Sequence, residues 1–269
     1  MPPSPDRWGP KLTGARGVDR NHVELVFSER MDGSTIQRRR NYVIVDGGDD
    51  TIRVYSADLL PDRQIARLTT EDQQPVTYTV YVSDVTDKAG NELRPGSSKS
   101  FRASSASDTT RPRVKEIYPR DASSGVAADG TLHVIFSEAM DTSCTSLGAG
   151  SIVLLPPPID STCRWNEQMT AVFIPALALS AHQSSIYVTR GCADYGGNRL
   201  VRLERSVFTM LDSLPGGRLS GRVVSEREES THMSAVGVFD SLWTPLFVDF
   251  VRDTAGTYSF TLLPDGIYN

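Results

Sequence analysis

The chain has 269 residues, of which 39% are hydrophobic and 23% are charged, a composition that fits a polar globular protein of about two domains. Its net charge of −5 argues against a nucleic-acid surface, because such surfaces are basic. No apolar run reaches the roughly eighteen residues of a membrane span. The first residues lack the pattern of a signal peptide, which leaves a cytosolic protein or a mature or excised fragment as alternatives, and we expect a fragment.

The first hundred residues have the pattern of short β-strands. Alternation places Val23, Leu25 and Phe27 on one face of a half-buried strand. Long amphipathic helices are absent, and Ser34–Arg40 has room for one or two helical turns. Segments rich in Val, Ile, Tyr and Thr, separated by turn residues, predict further strands at Tyr42–Val45, Thr51–Ser56, Gln64–Leu68, Tyr78–Ser83 and Ser98–Arg102.

Two motifs of this region return later in the chain. Val26–Asp32 returns as Ile135–Asp141, and Asp87–Leu93 returns as Asp194–Leu200, at offsets of 109 and 107 residues. Because two independent motifs keep nearly one spacing, the sequence predicts a tandem repeat of roughly a hundred residues. Strands of the second repeat are predicted at Lys115–Tyr118, Leu132–Phe136, Ile152–Leu155, Ala171–Ile174, Ile186–Thr189 and Val207–Met210.

The segments around the repeats differ from them in composition. Ala103–Arg111 is polar and rich in Ser, as in flexible linkers. After Asp212–Gly217, a turn at Asp253–Gly256 precedes an alternating strand that carries Tyr258 and Phe260 on one face. Residues 218–269 are too few for a complete small sandwich, so we expect a truncated third domain.

Short strands at regular spacing predict an all-β fold of tandem Ig-like antiparallel β-sandwiches plus a partial third β-sandwich. The predicted domains are residues 8–103, 112–211 and 218–269.

All three cysteines lie in the second repeat, without the spacing of a zinc site. Cys144 and Cys163 bracket a predicted strand, and a disulfide between them would stabilise the fold by about 3 kcal/mol. The alternative is that no bridge forms, since the first repeat has no cysteine. Cys192 falls where the first repeat has Val85, which predicts a buried thiol.

Acidic residues follow the repeated strand and its later turn. In the first repeat these are Glu29 and Asp32, then Asp84, Asp87 and Asn91. Oxygen ligands from two loops at one sandwich end could hold Ca²⁺. The competing interpretation, which we favour, is structural: the Asp caps the turn and the Glu satisfies backbone donors. No other cofactor is predicted.

The motifs F-S-E-x-M-D and D-x-x-G-N-x-L, with a Y-x-V strand between them, resemble the bacterial Ig-like repeat family first described in surface-layer proteins, of the SbsA-like type. The resemblance covers about residues 8–210. D-x-x-G-x-Y-x-F at 253–260 and L-P-x-G-x-Y at 263–268 are similar to carboxypeptidase-regulatory-like, transthyretin-like modules. These resemblances imply secreted or surface-anchored bacterial proteins, in which such modules are spacers, adhesion modules or appendages of larger enzymes.

No Ser–His pair recurs in the repeats and no G-x-S-x-G motif is present, so catalysis is not expected. We expect a non-enzymatic spacer or adhesion-type segment of an extracellular or cell-surface protein. The alternative is a carbohydrate- or protein-binding accessory region of a larger secreted enzyme, which a contiguous exposed aromatic patch would favour. The expected partners are other domains of the same polypeptide and a surface protein or glycan, with no nucleic acid and no membrane span.

Overall fold

Antiparallel strands are the main regular structure of the described chain. The structure is a computed structural model that describes residues 6–48, 50–127, 131–145, 151–155, 163–175, 183–210, 217–224, 235–239, 243, 245–251, 256–263 and 269. The strands group into pairs of small sheets, in agreement with the predicted all-β, Ig-like architecture.

The first repeat folds as two four-stranded sheets. Its strands are β1 (Leu12–Gly17), β2 (His22–Phe27), β3 (Tyr42–Val45), β4 (Thr51–Ile52), β5 (Val54–Leu59), β6 (Ile65–Thr70), β7 (Thr77–Val82) and β8 (Ser97–Arg102). One sheet has the order β1-β2-β6-β5 and the other β4-β3-β7-β8, with every neighbouring pair antiparallel. We call this unit the first sandwich.

The core of the first sandwich lies between its two sheets. Val23, Leu25 and Phe27 of β2 are almost fully buried, as their alternation predicts. Ile44 and Val80 face them from the other sheet within the same apolar cluster. Met31, which belongs to the Val26–Asp32 motif, is also part of this cluster and is fully buried.

The second repeat follows the same plan. Its strands are β9 (Val114–Tyr118), β10 (Thr131–Phe136), β11 (Ile152–Leu155), β12 (Arg164–Trp165), β13 (Ala171–Pro175), β14 (Gln183–Val188) and β15 (Glu204–Thr209). The sheets have the orders β12-β13-β10-β9 and β11-β14-β15, and they enclose a core that includes Leu132, Val134 and Phe136. We call this unit the second sandwich.

Residues after the second sandwich form two strand pairs. The strands are β16 (Gly217–Arg222), β17 (Ala235–Phe239), β18 (Pro245–Phe250) and β19 (Thr257–Leu263). Strand β19, which contains the Tyr258 and Phe260 alternation, pairs with β16, while β17 pairs with β18. Val238 and Phe260 are the buried residues of a small core there.

Helices are short in the described part of the chain. The predicted helical stretch becomes one α-helical turn, α1 (Gly33–Ile36), followed by a 3₁₀ turn at Arg39–Asn41. A second 3₁₀ turn spans Thr142–Thr145. No helix of the described residues has the length and apolar character to cross a membrane.

The disulfide differs from the predicted one. Cys144 is bonded to Cys192, with Cα atoms 4.8 Å apart, and Cys163 is a free thiol. The prediction of a Cys144–Cys163 bridge is therefore wrong, and so is the prediction of a thiol at Cys192. The reason is tertiary: the loop after β10 lies against the turn after β14, where the Asp141 N–H donates to the Ala193 carbonyl at 2.9 Å.

Candidate functional site

The two repeated motifs meet at one end of each sandwich. In the first, Met31 forms an isolated antiparallel bridge with Asp87, and in the second, Met140 forms the same bridge with Asp194. Both methionines are fully buried. The two motifs keep their spacing because their loops pack on each other through a buried Met and are joined by backbone hydrogen bonds.

The Gly of each D-x-x-G-N turn has a left-handed backbone. Gly90 has φ +92° and Gly197 has φ +82°, a region that side chains other than Gly rarely adopt. The turn closes when the N–H of Asn91 or Asn198 donates to Oδ1 of the preceding Asp, at 2.9 and 2.8 Å. The residue types of the motif thus follow from the geometry of the turn.

The five predicted oxygen ligands of the first repeat do not converge on one point. Glu29 and Asp87 lie together with Asp6, with one carboxylate oxygen of each within 4.8 Å of the others. Asp32 instead caps α1, accepting the Ser34 N–H at 3.2 Å. Asp84 has φ +53° and accepts the Ser83 hydroxyl at 3.1 Å.

The carboxylate of Asp87 is fully occupied by its own turn. Oδ1 accepts the N–H groups of Ala89 and Asn91, and Oδ2 accepts the Asn91 side-chain amide at 2.8 Å. Burial opposes its ionisation, but these hydrogen bonds dominate and hold the pKa of Asp87 below its ordinary value. Asn91 therefore closes the turn by hydrogen bonds to Asp87.

An equivalent cluster in the second repeat contains a residue that the sequence did not predict. Asp108, Glu138 and Asp194 place one oxygen each within 4.8 Å of the others. Glu138 and Asp194 occupy the motif positions of Glu29 and Asp87. Asp108 comes from the segment between the sandwiches, and its side chain is only 3% exposed.

Charge is concentrated in this junction cluster, which we define as Asp108, Glu138 and Asp194. Burial, together with the nearby carboxylates, raises the pKa of Glu138 to about 7. Burial also raises the pKa of Asp194, to which the charge of Asp108 contributes. Three acidic groups so close to one another oppose ionisation, which a bound cation would favour.

A histidine of the first sandwich borders the junction cluster. His22 Nδ1 lies 3.0 Å from both carboxylate oxygens of Asp19 and 4.0 Å from Oδ2 of Asp108. Burial works against its charge, but the hydrogen bond and charge of Asp19 dominate and raise the pKa of His22. Asp108 is therefore shared between a His–Asp pair on one side and two carboxylates on the other.

The spacing of the two repeats contains a signal for Asp108, although neither motif includes this residue. Asp6 and Asp108 are 102 residues apart, close to the offset of the repeats, and each precedes its own sandwich. The signal is weak because both residues lie in polar segments outside the motifs. Only the folded chain places these two carboxylates beside the Glu and Asp of their motifs.

The outer sheet face of the second sandwich carries a row of aromatic rings, the aromatic ladder, formed by Tyr118, His133 and Phe173 in neighbouring strands. Tyr118 and His133 stack with ring centroids 5.1 Å apart, and His133 and Phe173 are 6.0 Å apart. Tyr118 is 46% exposed and Phe173 is 38% exposed. His133 lies between the two outer rings, and the ladder is a contiguous exposed patch.

Residues 108–210 match the family model of the bacterial Ig-like domain. This match covers the second sandwich. The first sandwich has the equivalent strand order with one additional strand, β4, so the Ig-like fold extends to both repeats. A search of curated proteins gave no match.

Solved structures with tandem β domains are distantly similar. The N-terminal part of the bacterial S-layer protein SbsC is 17% identical with a TM-score of 0.34, over 76% of this chain and 45% of that one. The S-layer protein rSbsC(31-844) is 12% identical with a TM-score of 0.35, over 94% and 50%. Escherichia coli alpha-2-macroglobulin, domains MG0-NIE-MG1, is 10% identical with a TM-score of 0.31, over 94% and 90%. The chain thus spans about half the length of the two S-layer structures, and these distant likenesses carry no functional argument.

Proposed function

We propose that this chain is a non-enzymatic structural spacer or adhesion-type segment of a secreted or cell-surface bacterial protein. The observation that carries the proposal is the direct packing of the first sandwich on the second. Tandem domains joined only by a flexible linker would bend freely, whereas packed domains hold a fixed direction and keep a distance.

Two contacts join the sandwiches directly, in addition to the linker. Tyr55 stacks on Tyr195 with ring centroids 3.8 Å apart and an interplanar angle of 6°. The Gln168 side-chain amide donates to the Gln37 carbonyl at 3.2 Å. A stacked aromatic pair contributes about 0.5–1.5 kcal/mol beyond the area it buries, so this contact resists bending.

The segment predicted as a flexible linker is held by both sandwiches. The Arg20 N–H donates to the Ala106 carbonyl at 2.9 Å on the first side. Arg111 Nε donates to the Arg199 carbonyl at 3.1 Å on the second side. The composition of Ala103–Arg111 indicated freedom, but its backbone and side chains find partners on the folded surfaces that flank it.

The Cys144–Cys192 disulfide supports an extracellular location, because disulfides persist in oxidising compartments and are rare in the cytosol.

The proposed division of the chain remains residues 8–103, 112–211 and 218–269. We assign the first two to the SbsA-like type and the third to part of a carboxypeptidase-regulatory-like module. Tyr187 Oη donates to the Val248 carbonyl, which joins the second unit to the third.

Distance measurements between spin labels, one on each sandwich, test the spacer proposal. The parent chain should give one narrow distance distribution. Tyr195→Ala should broaden it, because the stack with Tyr55 is lost. Tyr81→Ala, a 48% exposed tyrosine outside this contact, is the matched control and should leave the distribution narrow. A broad distribution in the parent chain would contradict a rigid spacer.

The aromatic ladder favours a second candidate function, a carbohydrate- or protein-binding accessory region of a larger secreted enzyme. Exposed aromatic rings on a flat sheet face offer apolar area and stacking surfaces to a sugar or a protein. Tyr118→Ala and Phe173→Ala should abolish retention on immobilised polysaccharides if the ladder binds glycans. Tyr81→Ala is again the control. Retention that survives loss of both rings would exclude the ladder as the glycan site.

A further inference from the structure

We infer that the junction cluster is a binding site for Ca²⁺, a divalent cation that prefers oxygen ligands. The bound ion would fix the linker residue Asp108 to the second sandwich. Asp108, Glu138 and Asp194 supply the carboxylate ligands. The site would lie where the two sandwiches meet, so its occupancy would control how firmly they are joined.

The spacing of the three carboxylates suits calcium. Ca²⁺ binds six to eight oxygens at about 2.3–2.6 Å, so two ligands of one ion are at most about 5 Å apart. The three oxygens of the junction cluster lie within 4.8 Å of one another. All the donors are carboxylate oxygens, which Ca²⁺ prefers and which softer metals do not select.

Two buried carboxylate oxygens of the cluster have no hydrogen-bond partner. Asp108 Oδ1 accepts the Thr110 N–H at 2.8 Å and Asp194 Oδ1 accepts the Asn198 N–H at 2.8 Å, but Oδ2 of each is buried without a hydrogen-bond partner. His22 Nδ1 is 4.0 Å from Asp108 Oδ2, beyond hydrogen-bond distance. The side chain of Asp108 is 3% exposed and Asp194 as a residue is 4% exposed. A buried carboxylate oxygen without a hydrogen-bond partner is costly, and a cation bound between Asp108 and Asp194 would remove this cost.

The corresponding acidic cluster of the first repeat differs in its hydrogen bonds. This cluster of Asp6, Glu29 and Asp87 has the same motif positions, but Asp87 Oδ2 accepts the Asn91 amide. In the second repeat the equivalent amide, Asn198 Nδ2, is buried beside Asp194 and forms no hydrogen bond of normal length. The same turn is therefore self-sufficient in one repeat and incomplete in the other, beside the linker.

Space and access at the junction cluster are consistent with an ion. Gly196 replaces the Ala89 of the first repeat, and a Cβ added there would lie 3.1 Å from Asp108 Oδ2. A cleft of about 210 Å³ lined by residues that include Asp108, Tyr195 and Gly196 lies on one side of the junction cluster. The absence of a side chain at Gly196 thus leaves room next to the unpaired oxygen.

His22 and Asp19 are assigned no ligand role. The His22 Nδ1 atom is held by both oxygens of Asp19, at 3.0 Å each, so its hydrogen-bonding capacity on that side is used. Their role is to hold the first sandwich against the opposite side of Asp108. An ion bound to Asp108 would then tie the second sandwich, the linker and the first sandwich together.

Calorimetric titration of the chelator-treated full chain with CaCl₂ tests the inference directly. One saturable binding event is expected, and Tb³⁺ should compete for it and show luminescence sensitised by Tyr195, which neighbours Asp194. Asp108→Asn and Glu138→Gln should each weaken binding by about tenfold or more. Glu29→Gln, the matched change in the first repeat, should leave the affinity unchanged. No saturable binding at millimolar Ca²⁺, or an equal loss in Glu29→Gln, would overturn the inference.

Thermal melting separates a cation site from a structural acidic cluster. In chelator, Glu138→Gln should melt at or above the temperature of the parent, because it removes one of three crowded like charges. At calcium concentrations well above the dissociation constant, the parent should gain about 5 °C and the variant should gain little. A Glu138→Gln variant that is destabilised equally with and without Ca²⁺ would contradict the site. Binding is measured separately from stiffness, so a failed titration would leave the spacer proposal standing.

Discussion

The outer sheet faces of the two sandwiches occupy equivalent places but are built from different chemistry. In the first sandwich, Arg16, Glu24 and Arg67 lie side by side across three strands, in direct register. In the second, the same row is the aromatic ladder of Tyr118, His133 and Phe173. We call the first row the ionic ladder.

The ionic ladder closes its face. Glu24 accepts Arg16 at 2.5 Å and Arg67 at 2.6 Å, and its side chain is only 3% exposed although it points away from the core. Burial opposes the charge of Glu24, but the hydrogen bonds from the two guanidinium groups dominate and lower its pKa. The long arginine side chains thus cover the sheet, which presents charged groups that are already paired.

The aromatic ladder leaves its face open. Its outer rings, Tyr118 and Phe173, remain 46% and 38% exposed. One strand arrangement thus supports two kinds of outer surface, because the outward positions are free to vary while the inward positions must fill a core. A surface with paired charges suits a spacer, and an exposed aromatic row suits contact with a ligand.

A second difference lies under the motif loops. The second sandwich closes its loops with the Cys144–Cys192 disulfide, at positions that are Thr35 and Val85 in the first. There, the Thr35 hydroxyl accepts the Thr86 N–H at 3.0 Å. A covalent bond in one repeat therefore replaces a hydrogen bond in the other.

Reducing the disulfide should produce the largest contrast between the sandwiches. A bridge that closes a 48-residue separation contributes about 4 kcal/mol by restricting the unfolded chain. Dithiothreitol, or the double change Cys144→Thr and Cys192→Val that copies the first repeat, should destabilise the second sandwich by about 3–4 kcal/mol. Urea unfolding followed by the fluorescence of Trp165, which packs on Phe136 in that core, measures it. An unchanged unfolding midpoint would contradict this expectation.

Breaking the ladders at equivalent positions should be the next largest contrast. Glu24→Ala leaves two guanidinium groups without their shared counter-ion and should cost about 2 kcal/mol. His133→Ala removes only ring stacking and should cost less than about 1 kcal/mol. Differential scanning calorimetry of both variants provides the comparison. Equal costs would show that the ionic ladder is not a distinct source of stability.

The end of the ionic ladder should show a dependence on pH. Burial raises the pKa of Asp58, opposite Arg67, to about 6 from its ordinary 3.8, although Lys115 acts in the other direction. Because the folded state binds this proton more tightly, stability falls as the pH rises through about 4–6. Asp58→Asn should therefore stabilise the chain by about 1 kcal/mol above pH 6, after allowance for solvent screening. The gain should vanish below about pH 4, and melting curves across this range measure it; a gain that is independent of pH would point to another cause.

A change of salt concentration should alter the relative stability of the two sandwiches only slightly. Raising NaCl from about 0.1 M to about 1 M shortens the Debye length from about 10 Å to about 3 Å. The exposed arginines of the ionic ladder should lose part of their attraction, lowering the melting temperature of the first sandwich by about 1–2 °C relative to the second. Glu24→Ala should remove this difference. A salt effect that persists in that variant would assign it to other charges.

Local patterns carried much of the fold. The alternation at Val23, Leu25 and Phe27 predicted both a strand and its buried face, because period two forces alternate side chains to opposite sides. The turn residues likewise predicted where strands end. Strand β1, with Gly14 and Gly17 and few apolar residues, was not predicted, since it is held by pairing with β2 and not by its own composition.

The candidate site was less accessible to sequence reasoning. Glu29 and Asp87 were singled out because they recur, and the structure places them together, but it gives Asp32 and Asp84 to local capping and turn roles. Asp108 carries no motif, so its place beside Glu138 and Asp194 follows only from how the linker crosses the junction.

The repeat, the main strands, their inward faces and the residue types of the turn follow from the sequence, since each depends on neighbours along the chain or on a fixed period. The partner of Cys144, the carboxylate that joins the motif acids and the contacts of the linker with both sandwiches emerge only from tertiary packing. These outcomes depend on loops and domains that meet across long sequence separations, where composition sets what is possible and packing selects one arrangement.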